Sequence, residues 1–168
     1  MTAVFSPVEL AALEKFRLRI GDIVDQLDEF DAHDRNLIRW LRARDMSVDK
    51  AEKMIRENMK VRKEFLVDEL QYRDFPEVML QQLPFTPCGH DKQGIVVCII
   101  PFGIWNLKAL VQNGHDDKEI LLYLAQIFER YFRYMKNNHS IENFKTEINL
   151  LIDYSQFSLP DYLSKRGC

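Results

Sequence analysis

Between residues 95 and 154 the hydropathy pattern leaves few architectures open. Residues 95–100 are six consecutive apolar side chains, mostly β-branched and without alternation, as expected of a strand covered on both faces. No apolar run in the chain is longer, and six residues are far too few to cross a bilayer. Residues 146–154 read as a second strand, with Ile148, Leu150, Ile152 and Tyr154 facing one way and Glu147, Asn149 and Asp153 the other. A long helix fits between them, capped by Asp116 or Asp117 and reaching about Asn137. Ile120, Leu124, Ile127, Tyr131 and Tyr134 lie along one side of it, with Leu121, Phe128, Phe132 and Met135 beside them. So wide a stripe implies burial on more than one face. Strand, helix and strand in this order predict a right-handed parallel βαβ unit.

The chain before this unit reads differently. Ser6, Pro7 and Glu9 form a helix start, with a capping hydroxyl, a proline at the first position and a carboxylate at the third. Leu10, Leu13, Phe16 or Leu18, and Ile20 continue at helical spacing. A second helix starts near Asp31 or Asp34 and carries Leu37, Ile38, Trp40 and Leu41. Asp45 and Met46 break it, and Ser47 is placed to cap a third. Residues 48–70 contain neither Gly nor Pro, so that third helix is expected to be long. Pro76, Pro84 and Pro87 punctuate the next stretch, with a short helix over 76–82, a turn over 89–94 and another short helix over 107–112. The fold class is α/β, with an N-terminal helical region over 1–75 and a βαβ domain over 76–168.

Charge and cysteine usage narrow the function classes. Residues 1–34 carry a net charge of −5 and residues 35–64 a net of +5, within a chain of net charge −3. The basic block is suited to a phosphate-rich surface, but it reads first as solvated helices whose charges mostly compensate, since Asp49/Lys53 and Glu52/Arg56 sit at i,i+4 in the favourable order. No nucleic-acid partner is expected of such a balance. Cys88, Cys98 and Cys168 form no C-x-x-C pair, and the first residues lack a basic-then-apolar leader, so reduced thiols and a cytoplasmic setting are expected. The glycines make neither G-x-G-x-x-G nor a P-loop, no serine sits in G-x-S-x-G, and His33, His90, His115 and His139 are scattered. Cys88 and His90 are close but lack further metal partners. No metal, no cofactor and no enzyme activity are expected. A small α/β enzyme would need a polar cluster near residues 101–105 and 154–158, where Asp153, Tyr154, Ser155 and Ser158 gather without an obvious base.

Four segments carry a family likeness. Residues 36–44, Asn-Leu-Ile-Arg-Trp-Leu-Arg-Ala-Arg, then Lys50-Ala51 and Arg62-Lys63, resemble the N-terminal helices of the CRAL-TRIO lipid-transfer family. Residues 88–94 with the strand that follows resemble its glycine turn and first sheet strand. Residues 148–154 resemble a later strand end, although Tyr154, Ser155 and Gln156 depart from the usual glycine. Residues 6–16 are similar to the phosphatidylinositol-transfer-like branch, with supernatant protein factor and α-tocopherol transfer protein. The resemblance implies a non-enzymatic carrier that holds one hydrophobic lipid, a phospholipid such as phosphatidylinositol or an isoprenoid such as tocopherol, in an apolar cup. It also implies transient peripheral contact with a membrane surface. The physical need is simple: exposing a lipid tail to water costs about 0.8 kcal/mol per methylene.

Family lipid domains extend well beyond this point, so the chain reads as truncated or alternatively ended, with Lys165, Arg166, Gly167 and Cys168 lacking a family counterpart. At most half a cup, with weak or no lipid retention, follows. Val97, Ile99, Phe128, Phe132, Ile148, Leu150 and Ile152 are the expected pocket lining. Arg39, Arg42 and Arg44 are expected to brace helix packing through their stems and ion pairs. The alternative is an interaction or regulatory module without lipid transfer, docking through an exposed sheet edge.

Overall fold

A computed structural model describes residues 5–143 and 147–159. The helices are α1 (Pro7–Arg19), α2 (Gly21–Val24), α3 (Asp34–Arg42), α4 (Val48–Glu64), α5 (Glu77–Gln82), α6 (Leu107–Gln112) and α7 (Asp117–Asn138). The strands are β1 (Thr86–His90), β2 (Val96–Ile100) and β3 (Asn149–Ile152). The chain divides into two compact units, residues 1–68 with 132–144 and residues 69–131 with 145–168; α7 contributes to both.

The first unit is helical. Ser6 and Glu9 form a reciprocal capping box at the start of α1, as their spacing predicts. Leu13 and Phe16 of α1, Leu37, Ile38 and Leu41 of α3, and Ala51 and Ile55 of α4 make one buried cluster with Ile20 and Ile23. Each large side chain buried there contributes roughly 1.5–3 kcal/mol of transfer free energy. The apolar face of α1 is narrower than expected, since Leu10 and Leu18 lie exposed. His33 caps α3, its Nδ1 accepting from the Arg35 amide. Asp45 and Met46 both adopt positive φ and reverse the chain between α3 and α4. Ser47 occupies the N-cap of α4, but its side chain makes no capping bond. That helix is shorter than the absence of Gly and Pro suggested. It stops at Glu64, and Leu66 turns the chain at φ 50°.

The opposite charges of the first 64 residues meet one another. Arg17 pairs with Asp34, Arg19 with Asp49 and Glu52, Arg42 with Glu9, and Arg56 with Asp22 and Glu52. The Glu52–Arg56 pair read from spacing forms. Asp49 instead reaches Arg19 and Lys53 reaches Glu57, because cross-helix arginines compete for the nearer carboxylates. Bonds from the Ser6 amide and from Arg42 hold the Glu9 carboxyl below its ordinary value, and the bond from Arg56 does the same to Asp22. In the last turn of α7, Lys136 sits between Asp28 at 2.6 Å and Asp31 at 2.8 Å.

The second unit holds the sheet, in the order β1-β2-β3. β2 and β3 run parallel, as the βαβ pattern requires, with Cys98 opposite Leu150 and Ile100 opposite Ile152. β1 pairs antiparallel with β2, and its register shifts between Pro87 and Gly89. Gly89 takes φ 122° at this shift, a region that favours glycine. The turn that follows is tied by Asp91, whose carboxylate accepts from the amides of Gln93 and Ile95 and from the Asn149 side chain in β3. A second buried cluster joins Met79 and Leu83 to Leu110, Ile120 and Tyr123. Gln126 of α7 is also buried, donating to the carbonyls of Leu70 and Arg73. Leu121 and Tyr134 are more than half exposed, so the α7 stripe is not buried throughout.

Candidate functional site

The sheet decides which apolar side chains share a surface. In β2, Val96, Cys98 and Ile100 are buried while Val97 is half-buried and Ile99 is 36% exposed, so this strand is covered on one face and not on both. The α7 side chains Phe128 and Tyr131 approach the sheet from within the second unit. Phe128 packs edge-on against Phe85, and the Tyr131 hydroxyl donates to the Glu147 carbonyl. Burial, together with the nearby Cys98 thiol, pushes the Tyr131 phenol above its ordinary pKa. The Cys98 thiol is itself raised by burial.

Directly paired residues in a sheet point to the same side. Leu150 and Ile152 therefore lie on the Cys98 and Ile100 side, and strand alternation carries Ile148 with them. Val97 and Ile99 point to the other side, where Leu151 joins them opposite Ile99. The expected lining residues thus divide between two faces of one sheet. Phe128 approaches through Phe85, and Phe132 falls within the first unit. All four residues of β3 are exposed, Leu150 at 38%, Leu151 at 56% and Ile152 at 46%. The Asp153 amide donates to the Ile100 carbonyl, and the Asp153 carbonyl accepts from Gly103. By alternation the backbone groups of Leu150 and Ile152 turn away from β2, toward an edge that no strand covers among the described residues. Leu151 is the residue of this face that alternation read from sequence did not single out; only the register identifies it.

A second concave feature lies beyond the carboxyl ends of β2 and β3. It is an open cleft of about 290 Å³ lined by Phe102, Ile104, Trp105, Lys108, Gln156 and Phe157, among others. Ligands of open α/β sheets bind in this position. The cleft wall is firmly held. The Trp105 indole donates to the Pro84 carbonyl at 3.0 Å, and the Asn106 side chain accepts from the Ala109 amide at 3.0 Å. Phe102 packs against Trp105, Tyr154 and Phe157 with centroids 5.3–5.9 Å apart. Asp153, the carboxylate nearest this end of the sheet in sequence, accepts from the Ser155 amide at 2.8 Å, and this bond holds it below its ordinary value.

The remaining candidates take structural places. Arg42 braces α1 through Glu9, as expected, whereas Arg39 and Arg44 lie exposed and have no carboxylate partner among the described residues. His115 contacts Glu119 at 2.8 Å, and His139 lies 3.1 Å from the Met135 carbonyl. Among the described residues no three His, Cys, Asp or Glu side chains gather as metal ligands, and no helix is long and apolar enough to cross a membrane. Cys168 lies outside the described residues, as does the whole stretch over 160–168. So does Thr146, the expected start of β3.

No family model matches the chain. It is 32% identical to the protein named Protein real-time of Anopheles gambiae over 133 residues, 78% of this chain and 19% of that protein. It is 35% identical to Patellin-3 of Arabidopsis thaliana over 109 residues, 62% of this chain and 22% of that protein. Patellin-2 of the same plant matches at 31% identity over 105 residues, 62% of this chain and 15% of that protein. These likenesses support the CRAL-TRIO resemblance. They do not single out a branch. The chain spans about a fifth of the length of the curated relatives it matches.

Proposed function

We propose that the chain is part of a CRAL-TRIO lipid-binding module, close to the phosphatidylinositol-transfer-like branch, and that it works without making or breaking bonds. Its ligand is a phospholipid such as phosphatidylinositol or an isoprenoid such as tocopherol, taken up during transient contact with a membrane surface. The observation that carries this reading is the apolar sheet face formed by Val97, Ile99 and Leu151, which the second unit leaves partly open. An acyl or isoprenoid chain laid there removes its own surface and that of Ile99 and Leu151 from water, at about 25 cal/mol per Å². The cleft of about 290 Å³ is too small for a two-chain lipid, so the sheet face, and not the cleft, is the lipid surface in this reading.

The test is binding of lipid extracted from vesicles of phosphatidylcholine doped with phosphatidylinositol or tocopherol, followed by mass analysis of what the re-isolated protein carries. Weak, saturable uptake is expected, reduced at least fivefold by Ile99→Glu and unaffected by Leu18→Glu on the exposed side of α1. Equal uptake by both variants would overturn the assignment. A second reading, a docking module without lipid transfer, draws on the open edge of β3. It requires an apparent mass that grows with protein concentration and no lipid carried.

A further inference from the structure

The cleft at the carboxyl ends of β2 and β3 differs from the sheet face in both size and charge. At roughly 30 Å³ per heavy atom, the share a water molecule takes in the liquid, its volume of about 290 Å³ holds a body of about ten heavy atoms. The rings of Phe102, Trp105 and Phe157, with Ile104 and Leu107, supply an apolar wall. Among the described residues Lys108 is the one charged residue that lines it, and no carboxylate does. Lys108 is exposed and has no carboxylate partner among the described residues.

The other polar groups are largely spent on the scaffold. Asn106 caps α6 through its side chain and donates its amide to the Gln82 carbonyl, while the Trp105 indole is held by Pro84. Gln156 completes the wall at φ 67°, a left-handed conformation that a side chain other than glycine adopts at a cost of about 1 kcal/mol or more. Strained residues of this kind persist where the surrounding structure fixes them, and they collect at ligand sites. The backbone beneath is fixed by the bonds from Gly103 to Asp153 and from Asp153 to Ile100. A wall already fixed in place spends little of a ligand's binding free energy on ordering.

We propose that this cleft binds a small single-chain amphipathic anion, with its apolar body against Phe102, Trp105 and Phe157 and its anionic end at the Lys108 ammonium. The ligand class differs from the two-chain lipid or isoprenoid of the sheet face, and the lining residues do not overlap. The inference therefore stands whether or not the sheet face carries lipid. The same chemistry is offered by a free short-chain carboxylate and by the anionic end of a larger amphiphile, of which only the first fits entirely within the volume.

The experiment titrates the full chain carrying Trp40→Phe, so that Trp105 alone reports by fluorescence, with octanoate, octanol and inorganic phosphate. Saturable quenching or a blue shift with octanoate is expected, with octanol about fivefold weaker and phosphate without effect. Lys108→Gln should weaken octanoate about fivefold and leave octanol unchanged, with the same circular dichroism spectrum and melting temperature. Ser158→Phe should weaken both by filling the cleft. Octanol binding as tightly as octanoate, or octanoate indifferent to Lys108→Gln, would overturn the proposal. Ile99→Glu separates this site from the lipid face: octanoate binding survives it, and vesicle-lipid uptake does not.

Discussion

Gly103 is the one described glycine whose missing Cβ another segment crowds, and replacing it has a calculable consequence. A Cβ added there would lie 2.7 Å from the Ser155 carbonyl carbon, nearer still to its oxygen, and 3.0 Å from the Phe157 amide nitrogen. Those atoms are backbone and cannot swing aside, so Gly103→Ala forces the segments after β2 and β3 apart by more than an ångström. The separation strains the 2.9 Å bond from the Gly103 amide to the Asp153 carbonyl, worth about 1 kcal/mol. Steric crowding of this kind adds about 1–3 kcal/mol. The Phe102 contacts with Tyr154 and Phe157 loosen as well. A loss of about 3 kcal/mol is expected, which lowers the melting temperature by roughly 6–12 °C in a chain of this size. Gly21→Ala is the control, since nothing lies within 4 Å of a Cβ at that position. Urea unfolding followed by circular dichroism, with amide exchange read at Asp153, measures both variants. If Gly103→Ala unfolds at the same midpoint as Gly21→Ala and protects the Asp153 amide equally, the close approach is not a constraint and the reasoning fails.

Other perturbations act on the first unit. Lys136 is half-buried, which disfavours its charge, but the bonds it donates to Asp28 and Asp31 outweigh burial and raise its pKa; burial likewise opposes the Asp28 carboxylate, and Lys136 and the Asp31 amide bring it below its ordinary value. The Asp28 contribution is complete above the ordinary aspartate pKa of about 4 and disappears as pH falls through its lower folded value, whereas that of Lys136 is lost only when pH rises through its raised one. Lys136→Met should therefore cost about 1 kcal/mol at neutral pH and flatten the acid limb of a melting-temperature profile between roughly pH 5 and 2; an unchanged acid limb would count against the clamp. Leu66→Gly should stabilise the chain by about 0.5–1 kcal/mol in urea unfolding, because Leu66 is 57% exposed and held at φ 50°; destabilisation would show that its side chain packs more than its exposure suggests.

The helical part of the fold is written in local chemistry, and it was legible for that reason. Ser6 and Glu9 announce a helix with two mutual bonds, and the short helix read over 107–112 forms as well, where the structure adds the Asn106 side chain as its cap. Parallel pairing of β2 and β3 followed from the helix between them. β1 was not legible. Thr86, Pro87, Cys88, Gly89 and His90 are exposed, contain proline and glycine, and show no apolar alternation, so only the partner β2 and the Asp91 turn make them a strand. The sidedness of residues 95–100 was hidden as well, because six consecutive apolar residues read alike whichever face is covered. Register, a long-range property, placed Val97 and Ile99 with Leu151 and away from Leu150 and Ile152. The cleft was legible only as two loop segments; that Gly103 meets Ser155 there is a fact of folding distance and not of spacing.

The alternation of β3 also prescribes how any visitor must arrive. Only Leu150 and Ile152 turn their amides and carbonyls outward, so an incoming extended peptide can seat itself solely in steps of two residues. A slip by one position would invert every side chain of the newcomer, exchanging its greasy flank for its wet one. The margin thus acts as a phase filter: it would admit a stranger whose own alternation matches Leu150, Leu151 and Ile152, and reject one of identical composition shuffled by a single residue.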